Sequence, residues 1–118
     1  MVLSWFGTMI DSRDPDHLAQ FWCDALGYVI VYRNDKMVAI APDSDTHPGL
    51  AFVRTNAAKT TKNRVHLDLR PDNQDDEVDR LVKLGATPID IGQRADTSWI
   101  VMADPEGNEF CILAAWHD

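Results

Sequence analysis

The spacing of apolar residues along the chain changes period several times, and the changes come in the same order twice. Residues 4–11 read as a strand. Asp14 and Pro15 then have the chemistry of a helix start, an acceptor for free N–H groups followed by a ring whose φ already suits the first helical position. Leu18, Phe21, Trp22 and Ala25 follow at i, i+3, i+4 and i+7, which lays one apolar stripe along a helix. Gly27 stands where a left-handed residue would stop it. Residues 28–33, 37–41 and 50–54 read as three strands, divided by a turn at Asn34-Asp35-Lys36 and a loop closing on Pro48-Gly49.

After the polar stretch 55–63 the plan repeats. Residues 64–70 alternate polar and apolar, as a half-buried strand should. Acidic residues crowd 72–76, where a helix N-terminus attracts them, and Val78, Leu81 and Val82 supply a buried face that ends at Gly85. Residues 88–91, 98–103 and 110–114 complete three more strands, with Asp104-Pro105-Glu106-Gly107 suited to a type I turn. The predicted fold is α+β: two βαβββ modules, about 1–54 and 64–118, joined by a linker at 55–63 within a single domain, 1–118. Each module alone leaves one face of its sheet uncovered, so the two should pack together or swap between chains. Open sheet edges also favour a homodimer.

Composition excludes more than it selects. With 11 basic against 19 acidic residues the net charge is −8, a surface that repels phosphate backbones and anionic lipid heads. No nucleic-acid or membrane partner is expected. No apolar run is long enough to span a bilayer and the start lacks the features of a signal peptide, so the cytoplasm is the expected location. Cys23 and Cys111 are not spaced as a CxxC motif, and in a reducing compartment they read as free thiols.

Asp14-Pro15 leading to Phe21-Trp22 and Leu26-Gly27 resembles the first-helix signature of glyoxalase-like proteins of the vicinal oxygen chelate superfamily, which also includes bleomycin resistance proteins and dioxygenases. Val65-His66-Leu67-Asp68-Leu69, Leu84-Gly85-Ala86 and Asp104-Pro105-Glu106-Gly107-Asn108-Glu109-Phe110-Cys111 resemble their second module. The resemblance covers nearly all of 4–114. It implies a curved mixed sheet around a concave ligand cavity, often in a dimer. It also implies a divalent metal, held by residues of the first and last strand of each module. Carried onto this sequence, the module-one positions fall on Gly7 and beside Ala51 and Phe52, which offer no donor. The module-two positions fall on His66 and Cys111, with Glu109 two residues before the last. Three protein ligands are the usual need of a catalytic metal, and thiolate is a poor match for hard ions. The site reads as incomplete, so no metal or other cofactor is expected.

His66 and Asp68 lie two apart and should share the cavity face of their strand, with Val65, Leu67 and Leu69 turned to the helix. His66 is then the candidate catalytic residue, a general base steered by a carboxylate or a polar anchor for a ligand. The plainer alternative is a histidine whose hydrogen bonds only fix strand packing. Cys111 would need a lowered pKa to act as a nucleophile, and a small buried apolar residue is the preferred reading. Trp5 and Trp99 lie on predicted strands and are candidates for the wall of a pocket; Trp116 is a candidate contact with a partner subunit. His17, His47 and His117 read as surface residues. The expected ligand-binding set is therefore Trp5, His66, Asp68, Trp99 and Cys111. The leading expectation is a small-molecule-binding protein or metal-independent enzyme with an aromatic-walled pocket centred on His66. The alternatives are a metal-dependent lyase or dioxygenase with an atypical site, and a non-catalytic dimeric module that fills its own cavity.

Overall fold

The structure, a computed structural model, describes residues 2–89 and 98–115. Its contacts separate into two compact units, Met1–Ala58 and Lys59–Asp118, each with one helix and a four-stranded mixed sheet. Strand and helix order is βαβββ in both, and among the described residues no helix falls within 28–54 or 88–114. Residues 55–66 contain neither helix nor strand.

Module one consists of β1 (Gly7–Ser12), α1 (Pro15–Leu26), β2 (Val29–Arg33), β3 (Met37–Ala41) and β4 (Gly49–Arg54), with sheet order β1-β4-β3-β2. The α1 boundaries follow from its caps. The Asp14 carboxylate accepts the His17 N–H at 3.3 Å, Pro15 opens the helix, and Gly27 closes it at φ 71° with its N–H donating to the Cys23 carbonyl. β1 starts three residues later than the predicted strand, because its parallel partner β4 begins at Gly49, opposite Gly7.

Register decides what each face carries. Ile10, Phe52 and Val38 are aligned across β1, β4 and β3, as are Thr8, Leu50 and Ile40. Val38, Ile40, Leu50 and Phe52 are buried together with Leu18, Phe21 and Trp22 of α1, which packs on β3 and β4. Each such side chain removed from water stabilises the module by roughly 1.5–3 kcal/mol, enough to fix the helix to this face. The opposite face carries Gly7, Met9, Gly49, Ala51, Met37 and Ala39. At Gly49 a Cβ would stand 2.6 Å from the Ile40 carbonyl oxygen, so no other residue fits there without a shift.

Module two consists of β5 (Leu67–Leu69), α2 (Gln74–Leu84), β6 (Thr87–Pro88), β7 (Ile100–Ala103) and β8 (Glu109–Ile112), with sheet order β5-β8-β7-β6. α2 is capped by Asn73 and stopped by Gly85 at φ 120°. The strand predicted over 64–70 shrinks to three residues, and Val65 is 76% exposed instead of facing the helix. The reason lies in its partner. β8 emerges only after a turn that ends at Asn108, so residues 64 and 65 fall opposite the turn and have no strand to pair with. Val82 is likewise 45% exposed, and Leu81 is the fully buried residue of α2. Part of the strand expected over 88–91, together with Trp116 and His117, lies outside the described residues.

The turn between β7 and β8 is built around Asp104. Gly107, at φ 89°, donates its N–H to the Asp104 carbonyl at 2.9 Å. The buried Asp104 carboxylate accepts the N–H groups of Glu106 at 2.9 Å and Asn108 at 3.0 Å. An acidic residue, a glycine and an asparagine at these spacings are what the geometry requires.

Candidate functional site

On the face of the first sheet away from α1, module one forms a cavity of about 600 Å³, within the range of small-molecule sites. Small residues Gly7, Ala39 and Ala51 make its floor, and Trp5, Phe6, Met9, Tyr32 and Met37 surround it. One edge is polar, with Asp43, Ser44, Thr46 and His47. The walls are tied locally: the Trp5 indole N–H donates to the Gly7 carbonyl at 3.2 Å, and the Phe6 and His47 rings lie 4.5 Å apart. At the polar edge the Thr46 hydroxyl, at 2.7 Å, and the Asp45 N–H, at 2.9 Å, hold the Asp43 carboxyl below its usual range. Asp43 is therefore an ionised acceptor at neutral pH.

A second set of functional side chains lies in module two. His66 Nε2 and Asp68 Oδ1 are 3.1 Å apart, and both side chains are exposed. Asp68 stands opposite Cys111 in the parallel β5–β8 pair, and one ligand-type atom from each of His66, Asp68 and Cys111 falls within 4.8 Å of the others. Burial, then the Asp68 charge and its hydrogen bond with the thiol, push Cys111 up, with Lys62 opposing them. A raised pKa disfavours the thiolate that a nucleophile needs. Cys23 is also raised, first by burial and then by Asp24.

The five expected ligand-binding residues thus fall in different places. His66, Asp68 and Cys111 come together; Trp5 lines the module-one cavity; Trp99 is partly exposed just before β7. Phe6, Met9, Tyr32, Met37 and His47 were not among the residues the sequence singled out. The available signal was parity, since Gly7, Ala39 and Ala51 are small residues that register places on one face, beside larger apolar ones. His47 is exposed, as read from the sequence, and it also lines the edge of the cavity, its ring 4.5 Å from that of Phe6.

Glu109 has another occupation. Its buried carboxylate is paired with Lys59 Nζ at 2.9 Å and accepts the Asn63 N–H at 2.9 Å. The metal arrangement implied by the family resemblance does not fit these residues. Gly7, Ala51 and Phe52 bring no donor, and Glu109 is spent on Lys59 and Asn63.

Comparison with known proteins agrees with the architecture. The family model for the glyoxalase-like domain matches residues 7–113. No curated protein matches the chain. Among solved structures, the fold is similar to a glyoxalase/bleomycin resistance protein/dioxygenase family enzyme from Burkholderia phytofirmans, with TM-score 0.73, 21% identity and coverage of 93% of this chain and 97% of that one. It is also similar to the trypanothione-dependent glyoxalase I of Leishmania major, with TM-score 0.70, 18% identity and coverage of 96% and 87%. A bleomycin-binding protein solved with bleomycin gives TM-score 0.63, 19% identity and coverage of 97% and 100%. Identities this low carry the fold and not the chemistry.

The Glu109 pair has a measurable pH signature. Burial raises the Glu109 pKa, but Lys59 and the Asn63 N–H outweigh it and leave the carboxyl below the ordinary 4.5. A folded-state pKa below the unfolded one adds stability above the unfolded value, and this is lost as pH falls through the folded value. Glu109→Gln should cost about 1–3 kcal/mol at neutral pH and flatten the decline of unfolding free energy below about pH 4.5. Urea titrations at several acidic pH values check this; an unchanged decline would show that the pair contributes nothing.

Proposed function

The chain belongs to the glyoxalase-like domain family of the vicinal oxygen chelate superfamily, and from that premise we propose that it binds a flat, largely apolar small molecule in the cavity of module one. The observation that carries this reading is the lining: a floor of Gly7, Ala39 and Ala51 beneath Trp5, Phe6, Tyr32 and two methionines. Flat aromatic walls over a shallow floor suit a planar ligand, and methionine adapts to irregular shapes. The Asp43 edge favours a ligand that is neutral or positively charged at one end, as does the net charge of −8. Family membership supports a small-molecule-binding or enzymatic role, and the similar structures include both a bleomycin-binding protein and a glyoxalase. The cavity is not centred on His66, which lies in module two outside its lining; to His66, steered by Asp68, we assign a proton-transfer role, which needs no metal. The metal-dependent lyase or dioxygenase reading is the weaker one, because the donors it requires in module one are missing.

We further propose a homodimer located in the cytoplasm. β2 is an edge strand of the first sheet and leaves Val29, Val31 and Tyr32 exposed, a surface that pairing would cover. Among the described residues no helix is long and apolar enough to cross a membrane.

Two measurements test these readings. N-phenyl-1-naphthylamine, a neutral planar fluorophore, should bind and brighten, and Ala39→Leu, which fills the floor, should weaken binding at least about tenfold with little change in unfolding midpoint. Equal affinity in the variant would place the ligand elsewhere. Sedimentation at tens of micromolar should give a dimer, and a monomer there contradicts the assembly.

A further inference from the structure

A flat ligand of the module-one cavity could be neutral or positively charged, and the lining decides between the two. No lysine or arginine borders the cavity, and with histidine neutral Asp43 carries its one formal charge. We propose that the ligand is a planar organic cation, its positive end held by Asp43 and by the open faces of the neighbouring aromatic rings. This rests on the module-one cavity being the binding site, and it names the class of molecule that enters.

The rings around the cavity have their polar atoms engaged close to home. The Trp5 indole N–H donates to the Gly7 carbonyl at 3.2 Å, and Asn34 Nδ2 donates to the Tyr32 phenol oxygen at 3.0 Å. What these side chains chiefly offer a ligand is therefore the ring face. Trp5, Phe6 and Tyr32 are each more than half exposed, so those faces are not spent on the module's own core. An aromatic face is the negative side of its quadrupole and attracts a cation within about 6 Å of the ring centre. It gives an anion no such attraction.

Asp43 adds a fixed charge. The Asp45 N–H, at 2.9 Å, and the Thr46 hydroxyl, at 2.7 Å, both end on Oδ1, so the loop holds the carboxylate while Oδ2 keeps acceptor capacity for a ligand. His47 lies close enough for its charge to act on Asp43, and its ring is 4.5 Å from that of Phe6. Carboxylate, imidazole and an aromatic face are thus neighbours at one edge. A neutral ligand settling there strips water from the carboxylate and returns nothing, and an anion is repelled. A cation compensates the carboxylate and uses the ring faces, while its flat body lies on the floor of Gly7, Ala39 and Ala51. The net charge of −8 draws such a molecule toward the chain.

Two probes of nearly the same shape test this: N-methylacridinium, with a fixed positive charge, and acridine, titrated into the full chain at mildly alkaline pH, where acridine and histidine are neutral. N-methylacridinium should bind at least about fivefold more tightly, and added salt should shrink the preference. Asp43→Asn keeps an oxygen for Asp45 and Thr46 but loses the charge. It should weaken N-methylacridinium at least about fivefold and change acridine by less than about twofold. Ala39→Leu should weaken both probes. Equal affinity for the two probes, or a preference that Asp43→Asn leaves intact, would overturn the cation assignment while sensitivity of both to Ala39→Leu keeps the cavity reading. Insensitivity of both probes to Ala39→Leu would remove the cavity itself, and the cation assignment with it. Should Asp43→Asn not fold, the salt dependence in the unaltered chain decides, and a preference that salt does not reduce would overturn the assignment.

Discussion

Leu18, Phe21 and Trp22 bury against the side of the first sheet that carries Val38, Ile40 and Phe52, and the module's one helix leaves the other side of that sheet without a cover of its own. A strand turns alternate residues to opposite faces, so the residues that fix α1 also determine what faces away from it. Gly7, Ala39 and Ala51 are small where the hidden face is large, and the difference in size becomes a depression walled by Trp5, Phe6, Met9 and Tyr32. Gly49 contributes in another way. Its missing Cβ leaves room for the Ile40 carbonyl oxygen, from which a Cβ would stand only 2.6 Å. The binding surface is in this sense a by-product of how the core is made.

Module two depends on a polar constraint. The Asp104 turn sets where β8 begins, and Glu109, the first residue of that strand, is fixed by Lys59 and the Asn63 N–H. Two residues later comes Cys111, whose position opposite Asp68 is then set by the β5–β8 register. A carboxylate that resembles a metal ligand by its place in the sequence therefore serves as the anchor that positions a thiol. Its buried charge is tolerated because a lysine and a backbone N–H satisfy it.

Much of the fold was legible because its signals are local. Asp14 with Pro15 and Gly27 define α1 through cap chemistry confined to a few residues, and the α1 boundaries follow it. The Asp104–Gly107 turn is equally self-contained. Features that depend on a partner were less visible. Residues 64 and 65 continue the alternation of a strand, yet the turn before β8 gives them nothing to pair with, and Val65 ends in solvent. The meeting of His66, Asp68 and Cys111 could be anticipated, since parity fixes the first two and strand pairing adds the third. The cavity could be anticipated only through Trp5, because its floor emerges from three strands in register and its edge from a loop that brings His47 to Phe6.

The central claim is that the uncovered face of module one, not its helix-covered core, receives the ligand. Met9 and Met37 lie at that face, whereas Met102 is fully buried on β7 in the other module. Methyl-selective NMR of 13C-methionine-labelled protein, titrated with a planar aromatic ligand, separates these sites in one experiment. The Met9 and Met37 methyls should shift upfield in proportion to occupancy under the ring current of the ligand, with Met102 unmoved. Saturable binding that shifts Met102 and leaves Met9 and Met37 in place would contradict the claim.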